Sequence, residues 1–207
     1  MPTVNTRNIM VGAGHLYITK SDGTAALPAA PAAVAPALPA SYKNALDADV
    51  AWRYVGATNG GVEVTMSPDT ADVEVDQLKD AALVFNTGQT MTVGTELAEP
   101  TLANLLVAWG MRSTDLVGGG DTLNLSSLQD NLVERSIAVV GNAPNQTVTT
   151  GKRERVYYGR RVVNVDGGGH TLSRTDNTTL PVSFRLLPDT AQAGSEYGTI
   201  VDRTIAA

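Results

Sequence analysis

The segment from Leu83 to Leu97 most constrains the fold, because apolar and polar residues alternate along it over the length of a long β-strand. Five apolar residues have the same parity, which predicts that they lie on one face of the strand: Leu83, Phe85, Met91, Val93 and Leu97. The sequence Asn86 to Gln89 (NTGQ) interrupts the pattern and predicts a turn or a bulge there.

The preceding residues continue this β-pattern. Trp52 to Val55 predicts a short strand, and Asn59-Gly60-Gly61 predicts a turn with positive φ. A strand with one apolar face follows, formed by Val62, Val64 and Met66. Ser67-Pro68-Asp69 predicts the end of this strand. The next strand is predicted to have an acidic face, formed by Asp72, Glu74 and Asp76.

One helix is predicted after the long alternating segment, opening at Glu99-Pro100-Thr101, where proline suits the first helical position. Its apolar residues recur at the helical spacing i, i+3, i+4 and i+7: Leu102, Leu105, Leu106 and Trp109. Gly110 is a suitable C′ residue to end it. We interpret this apolar stripe as core that packs against a sheet, and not as a cofactor site.

Composition also favours a β-fold with many turns, because the 207 residues include 20 Gly and 10 Pro beside many Thr and Val. Further strands are predicted at 10–19, 132–140, 155–165, 180–187 and 198–205, and a loop at 116–128. No internal repeat is present, so we expect one domain over residues 1–207. Nine Ala and four Pro between Ala25 and Ala40 predict an extended loop insertion at about 21–44.

The sequence offers little chemistry for catalysis. There are no cysteines, which excludes disulfides, thiolate zinc sites and cysteine nucleophiles. The two histidines, His15 and His170, are far apart in sequence and lack the spaced partners of a metal site. A Ser-His-Asp triad needs no local signature and stays open. We therefore expect no catalytic, cofactor or metal residues, and a protein that is not an enzyme.

Charged residues are distributed unevenly along the chain, whose net charge is −6 and whose pI is about 4.8. An acidic domain is a poor candidate for wrapping nucleic acid. One basic cluster stands out: Lys152, Arg153, Arg155, Arg160 and Arg161. Three interpretations are open: a nucleic-acid patch, a solvated strand face, and a contact with another copy. In the third, the acidic residues Asp72, Glu74 and Asp76 of a neighbour would face the cluster, and such contacts are open-ended.

Several of these segments, in this order, resemble the core of phage tail tube proteins. Trp52 to Gly56 (WRYVG), followed by Gly60 to Val64 (GGVEV), resembles the entry to that core. Asp72 to Asp76 (DVEVD) is similar to its acidic strand after a proline turn. Thr87 to Thr95 (TGQTMTVGT), followed by Glu96 to Leu102, is similar to the long strand that passes into a helix. The Ala/Pro-rich run departs from the family pattern.

The resemblance implies a mainly β fold, a two-sheet β-sandwich or open barrel flanked by one α-helix, with extended loops or arms. It implies a structural virion protein that forms hexameric rings stacked into the tube of a long non-contractile tail. The tube encloses a tape-measure protein and conducts DNA without specific binding. Tail terminator and distal tail proteins are expected at its ends, and no membrane partner.

Within this picture we expect Leu83 to Leu97 to contribute the inner sheet of the ring. We expect the terminal arms and Ser21 to Asn44 to reach adjacent subunits. The subunit would be made in the host bacterial cytoplasm and end in the virion. The alternatives are the tube of a contractile injection system, or a β-sandwich binding or capsid decoration module.

Overall fold

Ten β-strands and two α-helices form the part of the chain that the computed structural model describes, residues 12–33, 37–73, 83–127, 132–144, 151–169, 171–172 and 177–206. Their bounds are β1 (His15–Thr19), α1 (Tyr42–Ala48), β2 (Trp52–Tyr54), β3 (Thr58–Val73), β4 (Leu83–Leu97), α2 (Leu102–Ala108), β5 (Leu116–Val117), β6 (Thr122–Leu123), β7 (Arg135–Asn142), β8 (Gly151–Asn164), β9 (Leu180–Leu187) and β10 (Gly198–Ala206). A 3-10 turn spans Ser113–Asp115. The fold is mainly β, as predicted.

One large antiparallel sheet contains all strands except β5 and β6, which form a small hairpin of their own. The strand order is β2-β1-β7-β8-β9-β4-β3. Strand β8 is the centre of this sheet, because it has β7 on one side and two strands on the other. Its residues 161–164 pair with β9, and its residues 151–159 pair with β10.

The sheet curls into an open barrel, because side chains of β1 and β4, which are far apart in the strand order, meet in one apolar core. Its two outermost strands, β2 and β3, are consecutive in the chain. The backbone N–H of Val55 donates to Leu16 in β1 (3.1 Å), whereas the carbonyl of Ala57 accepts from Ala98 beyond β4 (2.9 Å). The chain therefore changes partner strand at Gly56. Gly56 has φ +93°, and the Glu99 carboxyl group occupies the space where a Cβ atom would lie.

Two apolar cores lie on opposite faces of β1, β7 and β8. The inner core contains Leu16, Ile18, Ile137 and Val139 and packs against α2 and the inward side chains of β4 and β9. The outer core lies under α1 and contains Tyr17, Tyr42, Leu46, Trp52, Ala138, Val140, Val156 and Tyr158. Neighbouring residues of β7 thus enter different cores, which explains why its sequence is continuously apolar rather than alternating.

Helix α1 was not predicted, since the sequence pattern indicates only one helix. Ser41 caps it by accepting a hydrogen bond from the Lys43 N–H (3.1 Å). The described part of the Ala/Pro-rich segment has no regular secondary structure and lies against its own chain. Trp52 Nε1 donates to Ala26 (3.2 Å), and the Tyr158 hydroxyl donates to Ala25 (2.7 Å). Whether Ser21 to Asn44 also reaches another subunit stays a prediction.

Two predicted interruptions of β3 are wrong, because the strand runs without a break from Thr58 to Val73. Gly60 and Gly61 adopt positive φ within the strand and form a bulge in its pairing with β4, instead of a turn. Pro68 is tolerated because β3 pairs with β4 alone among the described strands, so the missing N–H falls on an edge strand. The predicted acidic strand is in part the end of β3, and its residues Glu74 and Asp76 lie outside the described residues.

The predicted helix is confirmed as α2, although it begins at Leu102, with Thr101 as N-cap, so Pro100 precedes the helix. Gly110 has φ +64°, as a C′ residue requires. The helix buries Leu106, Val107 and Ala108 in the inner core, with Leu105 and Trp109 packed beside them. The predicted role of the apolar stripe as core is therefore confirmed for Leu105, Leu106 and Trp109, whereas Leu102 is half-buried and lies outside the inner core.

Candidate functional site

The two ends of the barrel differ. At one end α2 closes the interior, and hydrogen bonds hold it there: Asn104 Nδ2 donates to Val55 (2.7 Å), Trp109 Nε1 to Gly168 (2.6 Å) and Asn164 Nδ2 to Ala108 (2.5 Å). Toward the other end of the same strands, residues of the inner core become accessible in an open cavity. We call this cavity the groove.

The groove has a volume of about 290 Å³ and is mostly apolar. Val64 and Met91 of β3 and β4 form one wall. The opposite wall contains Tyr157 of β8 and Ile200 of β10. The floor consists of inner-core residues, namely Val93, Ile137, Val139 and Leu186. The groove is thus an apolar depression above the hydrophobic core, whose floor residues are themselves buried.

Strands β3 and β4 continue past the groove as a two-stranded arm, which we define as Met66–Val73 and Leu83–Met91. Strand β9 pairs with β4 only from Thr92 to Leu97, so within the described chain the arm strands pair only with each other. At the usual rise per residue, the eight residues of β3 in the arm extend about 25 Å. A lone two-stranded hairpin is at best marginally stable in water.

A bulge divides the arm into two parts with different apolar faces. Met66 pairs with Met91 and Val64 with Val93, so all four lie on one face of the two strands, and Val64, Met91 and Val93 line the groove. Farther out, Asp69 pairs with Gly88 but Thr70 pairs with Asn86, which leaves Thr87 unpaired. The extra residue moves Leu83 and Phe85 to the opposite face of the arm. The prediction that they share a face with Met91 and Val93 is therefore wrong, whereas the predicted interruption at NTGQ is a bulge.

Beyond the bulge, four apolar residues form what we call the arm tip face: Ala71, Val73, Leu83 and Phe85, since Ala71 pairs with Phe85 and Val73 with Leu83. Val73 is 40% exposed, Leu83 52% and Phe85 51%. Among the described residues, nothing covers this face. An exposed apolar cluster of this kind is a frequent mark of a protein interface.

The arm is also acidic. It contains Asp69 and Asp72 and no lysine or arginine, and the rest of β3 and β4 adds Glu63 and Glu96, again without lysine or arginine. Of the acidic residues predicted to contact another subunit, only Asp72 lies within the described chain, where it is exposed and pairs with Val84. Its side chain lies on the face opposite to the arm tip face.

The predicted basic cluster lies on β8, where Arg155 and Arg161 form ion pairs within the chain. Arg155 binds Asp202 through two bonds (2.5 and 2.7 Å), which lowers the pKa of Asp202. Arg161 binds Glu134 in the same way (3.0 and 2.7 Å) and lowers the pKa of Glu134. Arg160 donates to the Ser195 carbonyl (3.1 Å) and hydroxyl (3.2 Å). Contact with another subunit stays a prediction for all five residues.

Lys152 and Arg153, the remaining members of the cluster, lie at the start of β8, where Lys152 is exposed and Arg153 half-buried. Arg153 and Arg155 have the same parity along β8 as Tyr157, so they continue the groove wall away from the core. The pairing of Tyr157 with Ile200 and of Arg155 with Asp202 shows the same order. One side of the groove is thus formed by the acidic arm, and the other by the paired strands β8 and β10, which carry arginine side chains.

Ile200 was missed as a functional candidate, although the strand around it was predicted at 198–205. Its only signal in the sequence is an apolar residue at the parity of Asp202. Such a residue is indistinguishable from core until the fold shows that it is 61% exposed at the groove rim.

The described residues contain no group of three or more His, Cys, Asp or Glu side chains placed to hold a metal ion. His15 lies 3.4 Å from the Tyr54 hydroxyl through Nδ1, and partial burial lowers its pKa; His170 lies outside the described residues. No helix in the described ranges is long and apolar enough to cross a membrane.

No protein-family model matches this chain, and no curated protein matches it. The groove, the arm and their charges are therefore the features of the chain that bear on its function.

Proposed function

We propose that this chain is a structural virion protein that polymerises as stacked hexameric rings into the tube of a long non-contractile phage tail. The observation that carries the proposal is the arm, which extends beyond the barrel and exposes an apolar face. This arrangement is costly for an isolated subunit and is useful when another subunit covers it.

The arm and the groove are different surfaces of one molecule, which favours polymerisation over a closed dimer. Contacts between unlike surfaces are heterologous, and they generate rings when the rotation closes and filaments or tubes when it does not. A ring that stacks into a tube needs one heterologous contact that closes around the ring and another that repeats along the tube.

The sheet also offers edges to neighbours. Among the described strands, β3 pairs only with β4, and β10 pairs only with β8. Free edges expose unpaired N–H and C=O groups, and monomers commonly protect them with charge, proline or a covering segment. In a ring, a neighbouring subunit would pair with these edges and join the sheets into one wall.

The acidity of β3 and β4 suits a conduit for DNA. Phosphates bind to Lys and Arg, and these two strands contain neither. We therefore retain Leu83 to Leu97 as the candidate inner wall. In this proposal the tube encloses a tape-measure protein, contacts terminator and distal tail proteins at its ends, and passes DNA without binding it. Assembly would follow synthesis in the bacterial cytoplasm.

The tube of a contractile injection system has the same architecture and is the nearest alternative. The alternative from another class is a β-sandwich binding or capsid decoration module. The groove is the feature that favours this alternative, because its volume of about 290 Å³ reaches the lower limit of pockets that bind small ligands. Its open, apolar character fits a protein contact better than a ligand site with fixed polar groups.

Negative-stain electron microscopy of the purified protein, over a range of concentrations, tests the proposal. We expect six-fold rings and hollow tubes of constant diameter. Monomers that remain dispersed at high concentration, and that bind a small apolar ligand in the groove, would support the binding module and contradict the tube.

A further inference from the structure

We infer that the arm tip face of one copy docks in the groove of a second copy. This contact deepens the proposed function and rests on it, since it specifies which surfaces join the subunits. It is an interaction between two unlike apolar surfaces, each exposed in the single chain.

Both partners in this contact are uncovered hydrophobic surface. The arm tip face exposes Val73, Leu83 and Phe85, and the groove exposes Ile200 at its rim beside the half-buried Tyr157, above a floor of buried core residues. Their contact removes apolar area from water on both sides, which is the main favourable contribution to protein association. Aromatic residues are typical of such contacts, and here Phe85 lies on one surface and Tyr157 on the other.

The occupant must come from another copy, because a molecule's own arm tip face is turned away from its own groove. Met91 at the base of the arm and Val64, which precedes the arm on β3, form a groove wall. The bulge at Thr87 places Leu83 and Phe85 on the other side of the arm from these residues. The same bulge thus removes the tip from its own groove and presents it to a neighbour.

Charge favours the same pairing. The arm contains carboxylates without any lysine or arginine, and Asp69 precedes the arm tip face by two residues on the same face. Across the groove, Arg153 and Arg155 precede Tyr157 on β8 at the same parity, and Asp202 of β10 is ion-paired with Arg155, so these three residues give the wall a net charge of +1. An incoming acidic arm therefore meets a wall of net positive charge, whereas contact between two arms would place carboxylates against carboxylates. Complementary charge favours arm-to-groove docking over arm-to-arm docking.

Disulfide trapping tests this contact directly, because the natural chain has no cysteine. The variants Phe85→Cys and Ile200→Cys place one thiol on each surface, and a size tag on one variant distinguishes mixed from like dimers. On oxidation, we expect the mixture to form the mixed dimer at least about tenfold more than either variant forms like dimers. Val50→Cys is the matched control, since Val50 is 86% exposed and lies just beyond α1.

Three outcomes would overturn the inference. Dimers of Phe85→Cys alone would indicate an arm-to-arm contact. Equal yields of Phe85→Cys with Val50→Cys and with Ile200→Cys would indicate random collision. A disulfide within the single chain of the double variant Phe85→Cys/Ile200→Cys, without dimers, would indicate that the arm occupies its own groove. A thermal unfolding midpoint equal to that of the natural chain establishes that the fold of each variant is intact.

The contact and the proposed function can fail separately. Tubes seen by microscopy without a mixed disulfide would retain the tube function and reject this contact. A mixed disulfide in a protein that forms only pairs would retain the contact and reject the tube.

Discussion

The closed and open ends of the barrel use the same strands in opposite ways. At the closed end, Asn104 binds the carbonyls of Val55 and Glu99 (2.7 and 2.8 Å) and accepts a hydrogen bond from Arg53 (2.7 Å). Burial lowers the pKa of that arginine to about 10. At the open end, β3 and β4 leave the sheet with exposed apolar side chains. Polar groups are thus satisfied within the chain at one end, while apolar groups remain uncovered at the other.

This difference separates residues that stabilise the subunit from residues that are free to serve assembly. A residue at the closed end lowers the free energy of unfolding when it is truncated, because its partners belong to the same chain. A residue on the arm has few partners in the same chain. Its truncation should leave folding almost unchanged and affect only association.

Two leucines of β4 give the largest contrast. Leu97 is 1% exposed at the closed end and Leu83 is 52% exposed on the arm. We expect Leu97→Ala to lower the free energy of unfolding by about 2–5 kcal/mol. The matched variant Leu83→Ala should change it by less than about 0.5 kcal/mol. Urea unfolding below the association threshold measures both, and equal losses would contradict the distinction between the two ends.

The substitution of Asn104 is expected to have the second-largest effect on the free energy of unfolding. Asn104→Ala removes two donated hydrogen bonds and one acceptor of Arg53, and leaves buried polar groups without partners. We expect a loss of about 2–3 kcal/mol in the free energy of unfolding. Asn59 is the control, because its amide donates to Glu96 (2.9 Å) at an exposed site and Asn59→Ala should cost below about 0.5 kcal/mol. Similar losses in the free energy of unfolding for both variants would show that the buried hydrogen bonds of Asn104 contribute no more to stability than the exposed one of Asn59.

Two glycines with positive φ sharpen the comparison. In Gly56→Ala the new Cβ would lie 2.3 Å from the Glu99 carboxyl carbon, whereas in Gly61→Ala it would meet nothing within 4 Å. Backbone strain alone costs about 1–2 kcal/mol at either site. We therefore expect Gly56→Ala to lower the thermal midpoint more than Gly61→Ala does. The reverse order would mean that the change of strand partner at Gly56 does not depend on its close contact.

The smallest expected effect concerns the ion pair between Arg155 and Asp202. The pKa of Asp202 is lowered in the folded chain because Arg155 donates to its carboxylate. The stabilisation is therefore present above the unfolded pKa, about 3.9, and is lost as pH falls through the folded pKa. Asp202→Asn should cost less than about 1 kcal/mol at pH 7, and this cost should shrink as the pH falls below the unfolded pKa. A cost that does not decrease in acid would contradict this explanation.

The β-character, α2 and the bounds of β4 and β9 were predictable, because they follow from local period, turn residues and a cap. The continuity of β3 was not predictable. In a sequence, Gly60, Gly61 and Pro68 indicate a turn or the end of a strand, but an edge strand tolerates them. The two-core packing of β7 also depends on tertiary contacts. Helix α1 lacks a long apolar stripe and depends on the outer core beneath it.

The candidate site was only partly predictable. The interruption at NTGQ was visible, but its consequence for Leu83 and Phe85 requires the pairing register of both strands. The charges of β8 were visible too, but Asp202 and Glu134 are distant in sequence from the arginines that they neutralise. Ion pairs of this kind cannot be recognised before the strands are placed beside each other.

The central claim is that the arm serves assembly rather than folding, and Phe85→Asp tests it most directly. Negative-stain microscopy and thermal unfolding of this variant should be compared with those of the natural chain. We predict tubes for the natural chain, dispersed subunits for the variant, and the same thermal midpoint for both below the association threshold. Tubes formed equally well by Phe85→Asp, or a large fall in its midpoint, would contradict the account.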